Sequence, residues 1–133
     1  MNKIAIKGQQ KNKTTSTLIT DYTDPQYWNG LIKMSLSKFF ILAVLSKESM
    51  HGYQIAKTVA TTTNGCCSPT PGALYPVLRE FEQGKYVTLN ESTNGGRTRK
   101  IYTITKKGRK AFKVASEVWI DIGQLIIENR VSE

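Results

Sequence analysis

Few side chains in this sequence are of types and spacings that do chemistry. Cys66 and Cys67 are adjacent and are the only cysteines, and His51 is the only histidine. A zinc site needs Cys-x-x-Cys spacing and further ligands, whereas adjacent thiols suit a soft ion or a reactive electrophile. The plainer alternative is that both pack as small apolar residues in a turn. Neighbours in sequence cannot staple distant parts of a fold, so no disulfide framework is expected and the compartment reads as reducing. A single histidine makes no triad with the scattered Ser and Asp residues. Its expected role is to end one helix and bond backbone at the start of the next. No acid–base pair, nucleophile or metal-ligand constellation stands out, so an enzyme is disfavoured and neither metal nor cofactor is expected.

Charge is the more informative chemistry. Nineteen Lys+Arg against ten Asp+Glu give a net +9 and a pI near 9.7. That balance suits a polyanionic partner, nucleic acid or an anionic surface. Residues 1–34 hold five Lys and two Asp, so most of the excess lies further along the chain. Arg97, Arg99 and Lys100 fall at an expected hairpin tip, read as free of acidic neighbours. Charge runs are usually solvated faces, but flexible cations in reach are all that phosphate binding needs. Lys106, Lys107 and Arg109 open the last expected helix, where cations oppose the helix dipole, which hints at a use elsewhere.

The elements that position these residues follow from pattern. With 133 residues and 39% apolar content, the chain supports one small domain with a modest core. The longest apolar run, Phe39–Leu45, is seven residues, which excludes a membrane span on this reading; the Lys-rich start is no secretory signal, and a cytoplasmic protein is expected. Residues 1–24 read as a mobile basic arm. Asp24-Pro25 then starts a short helix to about Lys33, and Ser35–Lys47 is a second, apolar on nearly every side. His51-Gly52 breaks it. Tyr53 to about Thr62 is helical, with Ile55, Ala56, Val59 and Ala60 on one face.

Thr70 caps the next helix, Pro71 takes its first position, and Gly84 closes it. Its apolar stripe is Leu74, Val77, Leu78 and Phe81, with Pro76 inside it. Two period-2 segments follow, Tyr86–Glu91 and Lys100–Thr105, joined by a tip over Ser92–Arg99. Helix, helix, helix, strand, strand is the order of a winged helix-turn-helix, here spanning residues 25–105. Thr105 caps a last helix, within residues 106–133, that reaches about Arg130. Ala111, Ala115, Val118, Ile122 and Leu125 form one stripe on it, and Phe112, Trp119 and Ile126 form another. Two seams exceed what one small domain covers, so this helix reads as a dimerisation element. The fold class is α+β, mainly α: a winged helix-turn-helix with a two-stranded wing.

Three segments carry a resemblance to a known family. His51-Gly52-Tyr53-Gln54-Ile55, then Pro71-Gly72-Ala73-Leu74-Tyr75-Pro76-Val77-Leu78, then Gly96-Arg97-Thr98-Arg99-Lys100-Ile101-Tyr102-Thr103-Ile104-Thr105 with Gly108 resemble the signature of the PadR winged-helix transcriptional regulators. The resemblance covers roughly residues 35–128. It implies a dimeric repressor whose third helix enters the DNA major groove, wings on the phosphate backbone, and a C-terminal helix that pairs subunits. The single short C-terminal helix is similar to that of the smaller subfamily, where a tryptophan of that helix lines a ligand pore at the dimer centre. Trp119 sits comparably.

The resulting expectation is a homodimeric repressor of a double-stranded operator, released by a small effector. Tyr53, Thr70, Pro71, Ala73, Tyr75, Arg79, Arg97, Arg99 and Lys100 are the expected DNA contacts. Trp119, or Cys66 with Cys67, would take an aromatic or thiophilic effector. Ala115, Val118, Ile122, Leu125 and Ile126 would form the dimer interface, and Trp28 would be core. The alternatives are a nonspecific or architectural nucleic-acid binder without effector control, and a repressor that senses metalloids or redox state through Cys66-Cys67.

Overall fold

Asp24 opens the first helix as its sequence predicts, its carboxylate accepting the Gln26 N–H at 2.9 Å. In the computed structural model, which describes residues 19–132, this helix (α1, Pro25–Lys47) runs unbroken for 23 residues. The two helices expected at 25–33 and 35–47 are therefore one. Ser37, just past the expected break, does not interrupt it, because its hydroxyl donates back to the Lys33 carbonyl at 2.6 Å and stays satisfied inside the helix. The merger also corrects an exclusion. By length and a mean hydropathy of 1.3 over 18 residues, α1 could cross a membrane. Its buried residues, Ile41, Leu42, Val44 and Leu45, lie together in the hydrophobic core.

The chain divides within α1 into two units, Met1–Leu31 and Ile32–Glu133. Residues 1–18 of the expected arm lie outside the described residues. Residues 21–24 form a turn held by the Asp21 carboxylate, which accepts the Thr23 N–H at 3.0 Å and the Thr23 hydroxyl at 2.6 Å. Trp28 is not core: it is 51% exposed, stacked edge-on against Tyr27, with its indole N–H on the Tyr22 carbonyl at 2.8 Å.

In the second unit, α1 is followed by β1 (Met50–His51), α2 (Gly52–Thr62), α3 (Pro71–Gln83), β2 (Val87–Asn94), β3 (Arg97–Ile104) and α4 (Lys106–Glu128). The antiparallel sheet has the order β1-β3-β2, so it is three-stranded where the sequence predicts two. Two residues are too few to show a period, which is why β1 is invisible to patterning. The hairpin is longer than expected. Only Gly95 and Gly96 form its turn, with φ of +64° and +79°, the left-handed pair a tight hairpin turn requires. Among the described residues of its outer half none is buried, so no alternation marks them as strand.

Thr70 caps α3 by accepting the Ala73 N–H, and Leu74, Leu78 and Phe81 face the core. Gly84 ends the helix with φ −84°; the left-handed residue is Lys85, at +69°. Thr105 caps α4 through the Gly108 N–H at 3.0 Å and donates to the Lys85 carbonyl at 2.7 Å. Two of the cations that oppose the α4 dipole have other duties. Lys107 Nζ donates to the Gly84 carbonyl at 2.7 Å, 4.5 Å from the Tyr86 ring centroid, and Arg109 donates to the Ser46 carbonyl at 3.0 Å. They satisfy carbonyls that the ends of α3 and α1 leave orphaned.

Candidate nucleic-acid interface

Strand β3 and the starts of α2 and α3 converge on one cleft of about 290 Å³. Tyr53, Tyr75, Arg97, Arg99 and Lys100, widely separated in sequence, all line it with Tyr102, and none of its lining residues is acidic. The cations sit on β3, not in a loop: Arg97 pairs with Asn94, Arg99 with Ser92 and Lys100 with Glu91. Lys100 therefore has an acidic cross-strand neighbour that the expectation of a bare tip missed. All three side chains are exposed, as are Tyr53 and Tyr75.

Gly52 shapes this cleft by what it lacks. A Cβ there would fall 2.5 Å from the Tyr75 hydroxyl and 2.8 Å from its ring, so the ring lies where only glycine leaves room. His51 fixes the adjoining edge. Its N–H donates to the Gln54 side chain at 3.0 Å, and its Nδ1 lies 3.2 Å from the Lys100 carbonyl. The bond at the start of α2 is thus made by the His51 backbone N–H, whereas the imidazole meets backbone on β3, a contact that follows from the unforeseen β1. Burial pushes the Tyr102 phenol above its ordinary pKa, with Tyr75 and Glu82 adding to the shift and Arg79 opposing it. Tyr102 and Gly52 are the residues that patterning missed. Both stand inside the quoted sequence segments, but only the contact across the sheet gives them a role.

Thr70, Pro71 and Ala73 are exposed at the start of α3. They do not line the cationic cleft. Thr70 and Ala73 border a second cleft, of about 370 Å³, formed with Lys33, Met34, Ser37 and Ile41 of α1. Arg79 borders a shallow groove with Lys38 and Glu80, which form an ion pair at 3.0 Å.

The effector candidates fall in two further places. Trp119 is half-buried and lines an apolar groove of about 340 Å³ with Leu36, Phe39, Phe40 and Ile120. Cys67 is fully buried and Cys66 half-buried, both thiols being free. Burial first, then Cys66, holds the Cys67 thiol above the ordinary thiol range, so it is protonated at neutral pH. Among the described residues no three His, Cys, Asp or Glu come together as a metal site.

Along α4 the expected seam splits. Ala111, Phe112 and Ala115 are half-buried, whereas Val118, Ile122, Leu125 and Ile126 are exposed. Val114, Ile120 and Ile127, in neither predicted stripe, are exposed as well. An apolar surface of this extent is what monomeric domains rarely leave uncovered.

Comparison with known proteins agrees with this architecture. The chain is similar to transcriptional regulator YqjI of Escherichia coli (strain K12), 31% identical over 71 residues that cover 53% of this chain and 33% of that protein. The match thus spans a third of the length of that curated relative. A transcriptional regulator from Clostridium thermocellum superposes with a TM-score of 0.68 at 22% identity, covering 77% of this chain and 99% of that one. A PadR-like regulator from Bacillus cereus gives 0.67 at 21% identity, with the same coverage. The protein smu.1704 from Streptococcus mutans UA159 gives 0.59 at 28% identity, covering 72% of this chain and 90% of that one. The sequence profile of the PadR-like transcriptional regulators matches residues 41–114. That match takes in α2, α3, the whole hairpin and the start of α4, more than half of the chain, and the protein belongs to the PadR-like family of transcriptional regulators.

Proposed function

We infer that this protein is a cytoplasmic, homodimeric repressor that binds a two-fold symmetric DNA operator through α3 and the β2–β3 wing. The observation that carries the reading is the cleft where Arg97, Arg99 and Lys100 meet Tyr53 and Tyr75 without a carboxylate in its lining. Tyr75 of α3 lines this cleft, and the exposed start of the same helix supplies Thr70, Pro71 and Ala73 as base or phosphate contacts. Arg79 reaches phosphate from the flank. Sequencing the fragments that the protein retains from its own genomic DNA tests the reading. One recurrent palindromic site is expected, and retention indifferent to base substitution at fixed salt would leave a nonspecific binder instead.

Dimerisation rests on the exposed half of α4. Replacing both Ile122 and Leu125 with lysine is expected to yield a monomer that loses operator binding, since both half-sites must be engaged together. A double variant that still sediments as a dimer would remove α4 from the interface. The Trp119 groove is the proposed seat of a planar apolar effector, which would quench indole fluorescence on binding.

Gly52→Ala tests the geometry of the cleft. The new methyl displaces a partly exposed tyrosine ring rather than backbone, so the unfolding midpoint should shift by only a few degrees. Operator affinity should fall roughly 10- to 100-fold, the scale of one lost base contact. Unchanged affinity would mean that the position of Tyr75 does not matter.

A further inference from the structure

We propose that Cys66, Cys67 and the apolar cleft beside them form a binding site for trivalent organoarsenicals, and that occupancy disables the start of α3. The second half of the proposal rests on the DNA-binding reading; the first does not.

The thiols are held by a fixed turn. The Thr63 hydroxyl accepts the Cys67 N–H at 2.9 Å and lies 2.8 Å from the Val59 carbonyl, tying the turn to the end of α2. Cys67 belongs to the core, and Cys66 packs against it. Adjacent Cα atoms lie about 3.8 Å apart, closer than the roughly 4.4 Å that a relaxed disulfide needs. A direct S–S bond is therefore strained. A single soft atom placed between the two sulfurs closes a larger ring and lifts that constraint, and trivalent arsenic is soft enough to prefer thiol sulfur.

The second observation is the cleft between α1 and α3, about 370 Å³ and lined by Met34, Ile41, Pro69, Ala73 and Val77. Ser68 and Pro69, which follow Cys67 in the chain, line this cleft, so the cleft adjoins the dithiol segment. An aryl group fits the apolar lining while the arsenic stays at the sulfurs. The exchange balances without redox change. An aryl arsenic dihydroxide loses both As–O bonds, gains two As–S bonds, and each thiol proton leaves with a hydroxide as water. Arsenic remains trivalent. Half-exposed Cys66 reacts first, and Cys67 must then turn out of the core to complete the bridge. Ser68, Pro69 and Thr70 follow directly, and Ala73 and Val77 are on α3 itself, so both events press on the cap of that helix.

The probe is phenylarsine oxide, which hydrates to the dihydroxide, added to the full chain under native conditions and read by intact mass. One adduct per chain, stable to dialysis against a monothiol, is expected. Cys66→Ala and Cys67→Ala should each lose that stability; alanine keeps a small apolar group in the core, and a melting curve checks that both fold. Inorganic arsenite, lacking the aryl group, should bind at least 10-fold more weakly. An adduct that forms only after denaturation, or survives in either variant, overturns the site, and equal binding of arsenite overturns the role of the cleft. In parallel, operator binding is measured before and after treatment. The adduct should weaken it at least 10-fold, with recovery on adding a small dithiol, and unchanged binding overturns the regulatory half. Failure of the untreated protein to bind DNA would sink the DNA reading and leave the mass result standing.

Discussion

Gly108→Ala should lower the unfolding midpoint by about 10 °C or more. Gly108 is buried in the first turn of α4, where an added Cβ would fall against the Tyr86 carbonyl and 2.7 Å from Ile104 Cγ1. The obstacle is backbone, so no rotamer change relieves it. The same Tyr86 carbonyl accepts the Thr105 N–H at 3.0 Å, and the Gly108 N–H is held by the Thr105 hydroxyl. Moving α4 away thus breaks the cap that joins it to the sheet. Overpacking of this kind costs about 3 kcal/mol, and each kcal/mol moves the midpoint of a domain near 100 residues by roughly 4 °C. Lys107 and Arg109 would lose their carbonyl partners in the same shift. A variant that melts within about 2 °C of the parent would show that α4 seats without this close approach.

The second large effect concerns binding. Arg97→Ala combined with Arg99→Ala is expected to weaken binding to every DNA sequence by a similar factor, on the order of 100-fold. That corresponds to roughly 0.7 kcal/mol for each of four exposed arginine–phosphate pairs in a dimer. The slope of log K against log salt should fall in magnitude by about 3 to 4, because four fewer counterions are released. Stability should hardly change, since both side chains are exposed on a hairpin with no buried face there. Substitution at Tyr75 should instead alter the preference among operators. If the wing variant lost its preference between operators yet kept its salt slope, the wing would be reading bases.

The sequence by itself determined α2 and α3, because each buries one face and so carries its period. Leu74, Leu78 and Phe81 are legible in this way, and the caps at Thr70 and Thr105 are legible because few residue types satisfy orphan N–H groups. Tyr53, Tyr75 and the wing cations were also identifiable, by resemblance and by charge. Tertiary structure alone decided what no local pattern encodes. The strand Met50–His51 exists because β3 offers it an edge, and it brings His51 to the Lys100 carbonyl. Gly52 reads in sequence as a helix breaker, but its consequence is room for a ring 23 residues away. Lys107 and Arg109 look misplaced on their own helix because their partners are the carbonyl ends of two others. Trp28 shows the limit most plainly: apolar type predicts burial, yet whether a face is covered depends on which elements pack there, and this tryptophan remains half exposed.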